Sequence, residues 1–307
     1  MPDGVQYGLF VYDVAPSEIV EIAVAAEEIG FHALWLGEHM LWPVGYNGHH
    51  PTQDAEKERT APIIGASTLL PDPLVTLGAA AAATRTILLG TSVYLVTARH
   101  PLLSARAAAS VANLAPGRFR FGLGAGWLRE EFDALEVDFA SRMTQFEEAV
   151  ALLRSAWQGG TFEHLGEHWH VPEVQVVPER IDVPVILGGN SRRALNRAAR
   201  LGDGWINSGL AHLDDVGLWR AQLEEELNDL GRDASAFEMW VRPTICTAPE
   251  SERFASAGFR NQVFMIGELW PKGPDLATAL KIEGLRSRAE EFGISKPRAG
   301  CPTTKGG

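Results

Sequence analysis

Two stretches of this chain run from a short apolar strand through closely spaced glycines into a helix, and they limit its folds more than any other feature. In the first, Arg118 to Leu123 alternates long and apolar residues. Gly122, Gly124 and Gly126 end that strand, and Leu128-Arg129-Glu130-Glu131-Phe132 begins a helical pattern. In the second, Val183-Pro184-Val185-Ile186-Leu187 reads as a buried strand running into Gly188-Gly189-Asn190-Ser191, with a helix from Arg192 to Leu201. A strand that passes through glycine into a helix lets backbone approach an anion at the positive end of the helix dipole. Asn190 or Ser191 can cap the second helix, and Gly188-Gly189 exposes amides suited to a phosphate. A tight turn without a ligand explains either junction taken singly. Two in one chain favour a phosphate-bearing cofactor.

Around these junctions strands and helices alternate. Strands are expected at Val5–Val11, Ala33–Gly37, Thr86–Ser92, Phe119–Leu123, Val183–Leu187, Gly204–Asn207 and Glu238–Cys246, the last of the series. Helices are expected at Ser17–Ile29, Pro73–Thr84, Pro101–Leu114, Arg142–Trp157, around Asn196, at Asp214–Leu230 and at Leu276–Phe292. Thr161 to Val177 interrupts the rhythm with a hairpin or an excursion around Leu165-Gly166-Glu167-His168, and a long loop runs from Pro43 to Asp72. Repeated strand–helix units of this length predict an α/β fold, a (β/α)8 TIM barrel with insertions in the strand-to-helix loops. A doubly wound open sheet is the alternative. Residues 1–295 read as one domain and 296–307 as a flexible C-terminal tail.

Length and composition narrow the function. The 307 residues suffice for a large core, and 46% hydrophobic with 21% charged residues is the balance of a globular enzyme. A formal charge of −12 argues against nucleic acid or an anionic membrane as partner. The two cysteines, Cys246 and Cys301, form no C-x-x-C pair, which points away from a disulfide framework and towards a reducing cytoplasm. No signal-like segment or run of transmembrane length is read, so a cytoplasmic location is expected.

Four motifs then carry a resemblance. They are Ile29-Gly30-Phe31-His32-Ala33-Leu34-Trp35-Leu36-Gly37-Glu38-His39; Leu89-Gly90-Thr91-Ser92-Val93 with Arg99-His100-Pro101; Gly117 to Trp127; and Pro184–Asn190 with Ala198-Ala199-Arg200-Leu201-Gly202-Asp203-Gly204-Trp205. In that order, over about Val5 to Leu230, the chain resembles the luciferase-like monooxygenase superfamily, especially its coenzyme F420-dependent oxidoreductases. The resemblance fades beyond Glu238. It implies a (β/α)8 barrel with flavin or deazaflavin at the C-terminal mouth, where such barrels keep their active sites.

The resemblance also implies roles. His39 stands where the family places a chemically important histidine beside the ring, able to exchange a proton near neutral pH. Glu38 is expected either to orient that imidazole or to be a solvated strand-end carboxylate. Trp42 resembles a tryptophan that a deazaflavin-dependent sugar-phosphate dehydrogenase sets against its substrate; an ordinary lid aromatic is the other reading. Ser92-Val93 matches the place where family members carry a non-prolyl cis peptide behind the ring. Gly124, Ala125, Gly126 and Trp127, with Gly188, Gly189, Asn190 and Ser191, are expected to hold the cofactor, its phosphate between the two turns. Two departures stand out: Ala125 replaces the arginine that clamps the FMN phosphate in bacterial luciferase, and Trp127 replaces an acid of the sugar-phosphate dehydrogenase. Arg192 and Arg193 are candidates for the anionic tail or for a solvated helix face.

His164, His168 and His170 with Glu163 and Glu167 superficially suggest a metal, but the turn at Leu165-Gly166 and the family's hairpin there argue for none. His49-His50 reads as lid. The alanine faces Ala79–Ala83 and Ala107–Ala109 suit either internal packing or a homodimer interface, and a homodimer is expected. The reading that unites these features is an F420-dependent oxidoreductase transferring a hydride between deazaflavin and a small organic substrate. An FMN-dependent monooxygenase and a non-catalytic flavin-binding protein are the alternatives.

Overall fold

A computed structural model describes residues 4–44, 64–271 and 276–295. Eight parallel strands form its centre: β1 (Gln6–Val11), β2 (Ala33–Leu36), β3 (Leu88–Thr91), β4 (Phe119–Gly124), β5 (Val185–Gly188), β6 (Gly204–Ile206), β7 (Glu238–Val241) and β8 (Asn261–Met265). Each pairs with its successor, and β8 pairs with β1, Gln6 opposite Asn261, so the sheet closes on itself. Between them lie α1 (Pro16–Ile29), α2 (Pro73–Ala83), α3 (Pro101–Leu114), α4 (Arg142–Ala156), α5 (Arg192–Leu201), α6 (Leu213–Asp229) and α7 (Ala248–Ser256), and α8 (Thr278–Glu291) follows β8. This is the (β/α)8 barrel that the alternation predicts, and the doubly wound alternative falls.

The expected final strand Glu238–Cys246 needs correction. It ends at Val241, and a further helix, α7, and strand, β8, follow before α8. β8 has only three apolar residues in a row, Val263-Phe264-Met265, which periodicity alone does not separate from a turn of buried helix.

Side-chain alternation splits the core in two. In β2, Ala33 and Trp35 face the lumen with Phe10, Ile186, Ile206, Trp240 and Val263, while Leu34 and Leu36 pack outward against the helices. Trp35 meets Trp240 edge-on at 5.1 Å. Room for its indole comes from Gly90, where a Cβ would lie 2.5 Å from the Trp35 ring. At the bottom of the barrel Arg120 pairs with Glu238 at 2.8 Å, which ties β4 to β7.

Helix starts follow from local sequence. Pro16, Pro73 and Pro101 occupy first helical turns, where a missing N–H costs nothing. Asp72 accepts from Leu74 N at 2.9 Å and Val75 N at 3.0 Å. The expected hairpin is present, Phe162–Leu165 against His170–Val174. Glu148 of α4 holds its turn, accepting from His168 N and Trp169 N at 2.9 Å each and meeting His164 Nε2 at 3.0 Å. The imidazoles of His164 and His168 have structural partners, Glu148 and Thr144, and the described residues contain no group of three potential metal ligands. Ala80, Ala81, Ala105, Ala108 and Ala109 are buried inside the barrel wall, with α2 packed on α3. His49-His50, most of the Pro43–Asp72 loop and the 296–307 tail lie outside the described residues.

Candidate active site

The loop after β2 delivers the first functional groups. Glu38 is buried and turns towards the β3–α3 connection, where Arg99 Nη2 donates to it at 2.7 Å, Arg99 Nη1 at 3.2 Å and Leu95 N at 2.7 Å. Burial pushes its carboxyl above the ordinary value, against the pull of Arg99. Burial also opposes the charge on Arg99, but Glu38 outweighs it and holds the guanidinium above its ordinary value. Both oxygens of Glu38 are therefore engaged away from His39, so Glu38 does not orient that imidazole.

Glu131 does. It belongs to the short helix Arg129–Ala134 that follows the β4 glycines, and its side chain is only 1% exposed. Its Oε2 lies 3.1 Å from His39 Nδ1, and its Oε1 accepts from Met40 N at 2.6 Å. A carboxylate that accepts on both oxygens requires Nδ1 to carry the proton, which leaves the Nε2 lone pair as the basic position of His39. Trp127 stands edge-on to the imidazole at 5.7 Å, fixing the ring from a second side. A sequence signal for Glu131 exists: with Leu128, Phe132 and Leu135 it lies on one helix stripe, an acid among apolar neighbours. Trp42 lies three residues beyond His39 and is partly exposed.

Across the mouth, the Ser92–Val93 peptide at the end of β3 is cis, as the family likeness implies. Val93 projects over the two glycine junctions together. A Cβ on Gly124 would come within 2.3 Å of Val93 Cγ2, and one on Gly188 within 2.8 Å of Val93 Cγ1. These two glycines are thus required by a protein side chain, whatever else approaches them. Beyond Gly124, Ala125 O accepts a long hydrogen bond from Thr97 Oγ1 at 3.4 Å, and Gly126 O accepts from Arg142 Nε at 3.3 Å. An arginine therefore does reach this turn, from α4 rather than from position 125.

The second junction is built differently. Ser191 caps α5, its Oγ accepting from Ala194 N at 3.2 Å. Gly189 has φ +124, a backbone state that favours glycine, and its carbonyl accepts from Trp205 Nε1 at 2.7 Å. Asn190 neither caps the helix nor points free: its amide donates to Ser208 O at 2.9 Å and accepts from Ser208 N at 2.8 Å, tying β5 to the end of β6. Arg192 and Arg193 open α5 and line a groove on the outer face with Arg197, Arg200, Glu147 and Glu226.

Sequence reasoning missed Arg242, one residue past β7. It is 7% exposed and spans to β3, where Nη2 donates to Ser92 O at 3.2 Å and to Ser92 Oγ. Its guanidinium carbon lies 4.1 Å from the centre of the Phe10 ring, and its backbone N donates to Asn207 Oδ1 at 2.8 Å. Inside the apparent strand Glu238–Cys246, one arginine carries no signal of its own.

The mouth therefore assembles His39, Glu38, Trp127, Ser92, Val93, Gly124 and Gly188 around one entrance, with Glu131 and Arg242 added by the fold. A family model for the luciferase-like monooxygenases matches residues 4–267. A protein named F420-dependent glucose-6-phosphate dehydrogenase from Beutenbergia cavernae is 34% identical over 197 residues, covering 62% of this chain and 52% of that protein. The chain spans about half the length of the curated relatives of that name. Among solved structures, the monooxygenase RslO1 from Streptomyces bottropensis superposes with a TM-score of 0.70 at 18% identity, covering 94% of this chain and 98% of that one. An F420-dependent secondary alcohol dehydrogenase in complex with an F420-acetone adduct gives 0.64 at 17% identity, covering 95% and 84%. At such identities the structural likeness speaks for the fold, whereas the family match spans most of the chain. The chain belongs to the luciferase-like monooxygenase family.

Proposed function

We propose that this protein is a coenzyme F420-dependent oxidoreductase that moves a hydride between the deazaflavin and a small organic substrate. The observation that carries the reading is the His39–Glu131 pair, a nearly buried imidazole with Nδ1 committed to a carboxylate and Nε2 basic, beside the Ser92–Val93 peptide. The relatives named F420-dependent dehydrogenases support the choice of cofactor.

The residues present fit such a cofactor. The α5 start offers amides in a helix of ten residues, and Arg142 stands at the Gly126 turn; these would hold the phosphate. Val93, seated over Gly124 and Gly188, gives an apolar face to a flat ring. The deazaflavin, when bound, supplies hydride acceptance or donation. His39 Nε2 then takes the substrate's hydroxyl proton on oxidation or returns it on reduction, with Glu131 stabilising the imidazolium. Glu38 and Arg99 keep the loop that carries His39 in register with β3, so the proton acceptor and the ring platform are positioned by one buried ion pair. Ser92, Val93, Gly124, Ala125, Gly126, Trp127, Gly188, Gly189 and Ser191 form the proposed cofactor surface, with Asn190 shaping it from behind. Trp42 is proposed to border the substrate.

The proposed setting is a reducing cytoplasm, consistent with the free thiol of Cys246, and the working unit is proposed to be one (β/α)8 domain that forms a homodimer. Among the described residues no helix is long and apolar enough to cross a membrane. Light scattering tests the dimer. Parallel titrations with F420 and FMN test the function: F420 is expected to bind the more tightly, and micromolar FMN binding with undetectable F420 binding overturns the reading in favour of oxygen chemistry.

A further inference from the structure

Arg99 and Arg242 both reach the mouth, and their surroundings differ. Arg99 has a carboxylate, Glu38, at 2.7 Å. Arg242 has none among the described residues. Both oxygens of Glu38 are taken by Arg99 and Leu95 N, and both oxygens of Glu131 by His39 and Met40 N. What Arg242 does touch is neutral: the Ser92 carbonyl and hydroxyl, the Phe10 ring face, and Asn207 through the backbone. Its Nε is buried and has no acceptor among the described residues. Burial pushes its guanidinium well below its ordinary value, down to about 9.

A buried cation without a counter-charge is costly, and buried charges are found paired with an opposite charge or a ligand. The position narrows the ligand. Arg242 lies against the carbonyl of Ser92, on the same peptide that fits the back of a flat ring, and Ser92 with Phe10 fixes the plane of the guanidinium. We propose that Arg242 is the anion receptor of this mouth, and that its partner is the ionised deazaflavin ring, met at the carbonyl edge over which the ring's negative charge is delocalised. The inference rests on the F420 reading above and extends it to one residue and one charge state. The ring bears an acidic hydroxyl whose ionised form is conjugated to that carbonyl edge, and a planar guanidinium suits such a delocalised anion. Arg242 thus selects the ionised ring over its protonated form, while Glu131 and His39 manage the substrate proton on a separate carboxylate.

The test uses the ring's own absorbance, which differs between its protonated and ionised forms. F420 is titrated into the wild-type protein, Arg242→Met and Arg242→Lys between about pH 5 and 9. The same series in a His39→Asn background removes the other titratable ring in the mouth. In Arg242→Met the affinity for ionised F420 is expected to fall about ten- to a hundredfold, and that for protonated F420 far less. The pKa of the bound ring shifts upward to match, and Arg242→Lys recovers part of the loss. Circular dichroism and thermal melting establish that each variant is folded, and Arg242→Lys keeps the test open if Arg242→Met is not. Equal loss for both ring forms makes Arg242 structural and overturns the proposal. So does a raised substrate KM with unchanged ring ionisation, which reassigns Arg242 to the substrate. Failure of the wild-type protein to bind F420 removes the functional reading itself, whereas normal wild-type binding with no ionisation-selective loss removes only the role of Arg242.

Discussion

The junctions after β4 and β5 look alike in sequence and do different physical work. After β4, Gly124 gives way to Val93, Gly126 leads into a helix of only six residues, and that helix spends its first-turn acid Glu131 on His39. After β5, Gly188 also makes room for Val93, but the helix has ten residues, a serine cap and two arginines at its start. Under the proposed function, the first junction serves proton transfer and the second serves cofactor binding. A glycine-rich strand-to-helix turn thus announces close approach, and only the neighbours reveal what approaches.

That division can be broken by experiment. The largest effect is expected at the first junction: His39→Ala lowers turnover by about 10²–10⁴-fold while the F420 dissociation constant changes little. Glu131→Ala should show the same split with a smaller loss. Turnover kept near normal in both variants would remove the proton-transfer role. At the second junction Gly188→Val should reverse the split, weakening F420 binding about ten- to a hundredfold, with turnover at saturating cofactor largely kept. Equilibrium titration beside steady-state kinetics reads both quantities.

Stability effects sharpen the picture on a smaller scale. Gly124→Ala forces Val93 to move and is expected to cost about 1–3 kcal/mol in urea denaturation. Val93→Ala in the same chain should return part of that, and strict additivity of the two changes would show that the residues are not coupled. Ser191→Ala removes the α5 cap, at about 1 kcal/mol. Smallest is the contribution of Glu148 at the hairpin. Burial raises its carboxyl pKa, but hydrogen bonds from His168 N, His164 and Trp169 N outweigh this and hold it below the ordinary value of 4.5. A depressed carboxylate contributes stability that is complete above the ordinary pKa and fades as pH falls through the folded value. The thermal midpoint of Glu148→Gln should therefore approach that of the wild type in acid and fall below it near neutrality.

How much of this was legible in the sequence varies along the chain. The barrel was, through β6, because apolar strands and amphipathic helices alternate with proline starts and glycine ends at their boundaries. Past Glu238 the apolar run of β8 is only Val263-Phe264-Met265, and helix α7 is only nine residues, so period and length stop discriminating. His39, Ser92 and Val93 were found through the family likeness, and the placing of Glu38 beside His39 in sequence misled because neighbouring residues at a strand end diverge in space. Glu131 could have been suspected from its place on an apolar stripe. Arg242 could not, since the absence of a counter-charge within the described residues is a property of three-dimensional neighbours.

The pairing of β1 with β8 has a consequence for how the protein is made. Gln6 and Asn261 come from near opposite ends of the described chain, so the barrel cannot close until almost all of it has left the ribosome. Until then β1 and β7 present open strand edges, which are templates for unwanted pairing with another nascent chain. His39 and Ser92 are synthesised early, yet the arginine that braces Ser92 arrives late, with only helix α7 between it and the closing strand. A polypeptide halted between Val241 and Asn261 would carry every residue of the mouth and still lack the wall that holds them together, a natural target for chaperones.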